Sequence, residues 1–111
     1  MQMTNLDTTF GALSDVTRRG ILERLARGEA TVGELATPSG LSLPAFSRHL
    51  KVLERASLIT NERRGKFRYC SLRREALSEA AGWLDFHQRF WIGSFDRLDR
   101  HLKRQMRGRR A

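Results

Sequence analysis

A single cysteine, two prolines and the lack of any long apolar run set the first limits on this chain. Cys70 has no partner for an internal disulfide, which excludes a disulfide-stapled scaffold and fits a reducing compartment. No uninterrupted apolar segment is long enough to cross a bilayer. The opening "MQMTNLDTTF" lacks both the basic start and the apolar run of a secretion signal. A cytoplasmic protein with no membrane partner is therefore expected. The parts of an enzyme are missing too. Ser47 and His49 stand two apart on an expected helix and so diverge, and no acid partner or phosphate-binding glycine loop accompanies them. Neither an enzyme nor a cofactor is expected.

Acidic residues are also scarce. Twelve Asp and Glu face 21 Lys and Arg, giving a net charge of +9 and a pI near 11.3. That balance favours a polyanionic partner, nucleic acid or an acidic membrane surface, although a merely solvated basic surface would have the same charge. The 111 residues suffice for one core and not two. No internal repeat or interior linker is visible. A single domain is expected over residues 1–103, with a basic, mobile tail over 104–111.

Along the chain, Leu6, Phe10 and Leu13 recur at helical spacing. Ser14 or Asp15 can cap a second helix carrying Ile21, Leu22 and Leu25, which Gly28 ends. "TVGELATPSG" suggests a short third helix, stopped by Pro38 and Gly40. "LSLPAFSRHLKVLERASLI" follows, with Ser42 as N-cap and Pro44 in the first turn. Phe46, Leu50 and Leu53 line one side of that helix; Pro44, Ser47, Arg48, Lys51 and Arg55 line the other. The period then changes to a β-hairpin from Leu58 to Leu72 with "RRGK" as its turn. A last helix runs from about Glu75 to Lys103, where Leu84, Trp91 and Leu98 recur every seven residues.

Four helices, a hairpin and a long helix, with a tight turn at "PSGLS", describe a winged helix-turn-helix: mostly α with a small β-hairpin. In that motif the second helix of the pair enters the DNA major groove. Arg48 can donate bidentately to a guanine, and Ser47 can bond a base or phosphate. Lys51 and Arg55 suit phosphates, and His49 suits helix packing or a phosphate. Leu43 and Pro44 complete the candidate reading surface at its start. Arg63, Arg64, Lys66 and Arg68 surround Gly65 and make the hairpin a basic wing. A protein-interaction or membrane-surface module built on the same fold is the alternative; it would lack sequence-dependent binding to a duplex.

"FGALSDVTRRGILERLARGEATVGELA", "LSLPAFSRHLKVLERASLI" and "ERRGKFRYCSL" together resemble the ArsR/SmtB family of bacterial transcriptional regulators. The resemblance implies a homodimeric repressor on a double-stranded operator of its own or an adjacent operon, released by an inducer that the sequence does not identify. It also implies that the first and last helices pack between subunits. That arrangement would bring Leu6, Phe10, Trp83, Leu84, Phe90, Trp91, Phe95 and Leu98 to the interface, and the last helix carries more aromatic area than so small a domain can cover alone. The metal-sensing members of the family are matched poorly. Thr31 and Gly33 flank Val32 where a Cys-Val-Cys box would stand. Asp85 and His87 open a second metal motif that Leu98 then breaks. No metal is expected. Cys70 is expected to be a small apolar packer, with redox sensing as a minor alternative should Arg68 lower its pKa.

Overall fold

The computed structural model describes residues 5–108. The chain divides after Ala80 into two compact bodies. The first body begins with α1 (Asn5–Leu13) and α2 (Val16–Leu25). Asp15 is the α2 N-cap, accepting the Arg18 backbone N–H at 3.1 Å. The next elements are β1 (Ala30–Thr31) and α3 (Val32–Ala36). The latter starts in a reciprocal capping box: Thr31 Oγ1 accepts from the Glu34 N–H at 3.1 Å, while the Glu34 carboxylate accepts from the Thr31 N–H at 3.4 Å. A single 3-10 turn, Thr37–Ser39, contains Pro38, and Gly40 takes a positive φ of 69°. That left-handed residue lets the chain reverse into α4 (Leu43–Arg55), capped by Ser42.

The end of α4 is closed by a Schellman motif. The Ser57 N–H donates to the Glu54 carbonyl at 2.9 Å and the Leu58 N–H to the Leu53 carbonyl at 3.0 Å. Ser57 holds φ at 58°, a position glycine usually occupies. Leu53 and Leu58, the pair that this motif brings together, are both fully buried. Two strands follow, β2 (Ile59–Arg64) and β3 (Phe67–Leu72), joined through Gly65, whose φ of 63° suits the first central position of a type II′ turn.

The hairpin is part of a three-stranded antiparallel sheet in the order β1-β3-β2, with Ala30 opposite Cys70 and Thr31 opposite Tyr69. The sequence suggested only the two-stranded hairpin and assigned Thr31 to the third helix; two residues are too short to show a strand period. Residues directly opposite one another share a face. Ile59 with Leu72, and Asn61 with Cys70 and Ala30, therefore form the inner face, while Thr60, Glu62 and Arg64 face the other way with Ser71, Tyr69 and Phe67. The core joins Ile21, Leu22 and Leu25 of α2, Leu35 of α3, and Phe46, Leu50 and Leu53 of α4 to this inner face. Finally, α5 (Arg74–Gly108) begins in the first body, where Ala76 and Ala80 are buried, and supplies the second. It continues past Lys103 to Gly108, so the first part of the expected tail is helical. Residues 109–111 lie outside those described.

Candidate nucleic-acid interface

α4 buries Phe46, Leu50 and Leu53 and leaves Leu43, Pro44, Arg48, Lys51 and Arg55 exposed. The periodicity dictates this split: positions 46, 50 and 53 recur on one side, and 44, 48, 51 and 55 on the other. Ser47 and His49 are half-buried on the flanks. Arg55 also lies in the last turn, where a cation complements the helix dipole.

His49 is tied to the rest of the body by a link between separate helices. Arg18 Nη1 lies 3.1 Å from His49 Nδ1. A guanidinium only donates, so Nδ1 accepts and the imidazole proton sits on Nε2. The same guanidinium donates to the Ala12 carbonyl at 2.8 Å and the Gly11 carbonyl at 3.2 Å, joining the end of α1 to the middle of α4. Asp15 Oδ2 lies 3.7 Å from the imidazole. The Asp15 carboxyl is held below its ordinary value, first by the Arg18 backbone N–H, against partial desolvation, with help from the Arg18 charge. His49 is thus a packing residue on its Nδ1 side. Arg18, absent from the candidate set, is the residue that positions it.

The four wing cations divide into two kinds. Arg64 is engaged: it pairs with Glu29, reaches Glu62 at 3.8 Å, and lies 4.2 Å from the centroid of the Tyr69 ring. Ser71 also donates to Glu29, at 3.1 Å, so one carboxylate ties β2 and β3 to the start of β1. Arg63, Lys66 and Arg68 are exposed, and Arg63 Nε donates to the Gly65 carbonyl at 3.2 Å. Arg63 and Arg68 stand directly opposite each other in the ladder. Like charges at such positions destabilise a sheet, and an anion laid across the pair would relieve that repulsion.

In the second body, α5 exposes Trp83, Leu84, Phe90, Trp91, Phe95 and Leu98, together with Phe86, Ile92, Leu102 and Met106. Trp91 and Phe95 stack one turn apart with ring centroids 5.9 Å from each other. On α1, Leu6 and Phe10 are half-buried.

Residues 13–62 match the family model described as "Helix-turn-helix domain". The transcriptional repressor SdpR of Bacillus subtilis is 38% identical over 79 residues, which cover 71% of this chain and 88% of that protein. A crystal structure of an ArsR family transcriptional regulator is 40% identical, with a TM-score of 0.75, covering 79% of this chain and 97% of that one. This chain belongs to the ArsR family. A third similar protein is the homodimeric winged helix-turn-helix DNA-binding domain of a possible ArsR-family regulator from Mycobacterium bovis. It is 26% identical at a TM-score of 0.59, over 82% of each chain.

Within this ArsR-family fold, the residues weighed above as metal ligands have other work or none. The Thr31 hydroxyl caps α3, and Gly33 has no side chain to offer. Asp85 pairs with Arg89 at 3.2 Å, and the His87 ring lies 4.1 Å from that of Trp83. Among the described residues no group of three or more His, Cys, Asp and Glu comes together. No described helix is long and apolar enough to cross a membrane.

Cys70 is fully buried on the inner face of the sheet. Desolvation, reinforced by the Glu54 charge, pushes its thiol up to about 11; Arg68 pulls the other way and loses. This corrects the redox alternative, which required a thiolate. In the native protein Cys70 should resist alkylation by iodoacetamide at about pH 8 and react readily after unfolding in urea. Mass spectrometry of timed samples checks this, and fast labelling of the folded chain would contradict it.

Proposed function

We propose that this ArsR-family regulator acts as a homodimeric repressor on a palindromic operator of its own or an adjacent operon, and that a small-molecule inducer releases it. One observation carries the DNA-reading part: α4 is fixed to the core by three buried side chains and presents the opposite, cationic face beside a wing with exposed cations. In this reading Arg48 donates to a guanine edge, with Ser47 on the flank. Lys51 and Arg55 hold phosphates, which anchor without reading sequence. His49 can offer Nε2–H to a phosphate while Arg18 holds its other nitrogen. Two such helices related by a two-fold axis would face half-sites about 34–36 Å apart. Selection of duplexes from a random pool by the purified protein tests the proposal. An inverted repeat of that spacing is expected; recovery of unrelated duplexes would sink it.

The wing should behave as two separable parts. Lys66→Ala should make the dependence of log Kd on log salt shallower by about one ion per protomer, because it removes one phosphate contact. Arg64→Ala should leave that slope nearly unchanged, since its guanidinium already serves Glu29 and Tyr69. Fluorescence anisotropy at several salt concentrations measures both. The opposite pattern would make Arg64 the phosphate contact and Lys66 a bystander.

A further inference from the structure

We infer that Leu43 reads the methyl group of a thymine in each operator half-site, an assignment that rests on α4 being the DNA-reading helix. Leu43 is the first residue of α4 and is 62% exposed. Leu41, two residues earlier, is also exposed. Pro44 adds an exposed ring at the second helical position. The start of the helix is therefore apolar, its middle carries Ser47 and Arg48, and its far end carries Lys51 and Arg55.

Helix N-termini commonly grip phosphates through free backbone N–H groups. This one is poorly equipped for that. Pro44 has no N–H, the Ala45 N–H is taken by the Ser42 hydroxyl at 3.4 Å, and the Phe46 N–H bonds the Ser42 carbonyl at 2.9 Å. What the tip offers instead is apolar surface. The major groove floor has one apolar feature to match it, the thymine C5 methyl. The N-terminal residues of a recognition helix are also those that reach the base edges. Leu43 supplies the flexible aliphatic contact, one turn before Ser47 on the same flank of the helix.

The test replaces each thymine of a selected operator, one at a time, with deoxyuridine, which removes the methyl and leaves the hydrogen-bonding edges intact. For the full-length protein, at least one thymine per half-site should lose about fourfold in affinity, the effect of uncovering one buried methyl. In Leu43→Ala the thymine and deoxyuridine duplexes should bind equally. Leu43 is exposed and Ala is a good helix former, so the variant should fold. Arg48→Ala should bind more weakly yet keep the thymine preference. A selected operator indifferent to every deoxyuridine would overturn the thymine assignment alone, as would a thymine preference that survives in Leu43→Ala. Failure to select any preferred sequence would overturn this assignment together with the reading on which it rests. The deoxyuridine series on the unaltered protein can refute the thymine contact without any variant; Leu43→Ala then decides whether Leu43 makes it.

Discussion

Changing Trp91→Glu together with Phe95→Glu should turn a dimer into a monomer at micromolar protein and abolish operator binding. Both side chains are more than half exposed on α5 and stack on each other one helical turn apart. An exposed aromatic surface of this extent on a small protein marks an interface. Aromatic hot spots at the centre of an interface typically cost about 2 kcal/mol or more when truncated. Two carboxylates placed there would add the cost of burying unpaired charges. A loss of about 4 kcal/mol or more weakens association at least several-hundredfold. The DNA consequence is larger than the lost contacts alone, because each monomer then holds one half-site without the linkage to a second. Light scattering reports the mass and anisotropy the affinity. A dimer that survives both substitutions would place the interface elsewhere.

The second large effect is expected at the other face of the reading helix. Phe46→Ala should destabilise the first body by about 3–5 kcal/mol, the usual cost of emptying a buried aromatic site. Phe46 is 0% exposed and packs in the core that also holds Leu50, Leu53 and Leu58. Against a total stability of about 5–15 kcal/mol, that loss leaves little reserve. The melting temperature should fall by on the order of 15–30 °C for a body of this size. Circular dichroism during heating measures it. A loss under about 1 kcal/mol would mean that Phe46 does not anchor α4, and the division of that helix into a fixed and a free face would fail with it.

The elements that could be read from the sequence are those with enough residues to declare a period. α4 announced itself through Ser42, Pro44 and the 46-50-53 spacing, and α5 through its seven-residue recurrence. Physical reasons explain what could not be read. β1 is two residues long and exists through its pairing with Cys70 and Tyr69, some forty residues away. Ser57 is left-handed without being glycine, so nothing local marks the Schellman motif that ends α4. The candidate site shows the same split. Exposure of Arg48, Lys51 and Arg55 followed from periodicity, since exposure on a helix is a local property. The Arg18–His49 and Arg64–Glu29 contacts join residues more than thirty positions apart, and no sequence pattern encodes such a meeting. For Cys70 the sign of the thiol shift depended on burial outweighing one neighbouring arginine, which only the packed sheet decides.

Whether the free face of α4 reads base sequence is decided by the affinities of the protein and of Arg48→Ala for a selected operator and for a scrambled duplex at one salt concentration. Arg48→Ala should cost about 1–3 kcal/mol on the operator and almost nothing on the scrambled duplex, so that the ratio between the two collapses. An equal loss on both duplexes would show that α4 only anchors, and would contradict the account.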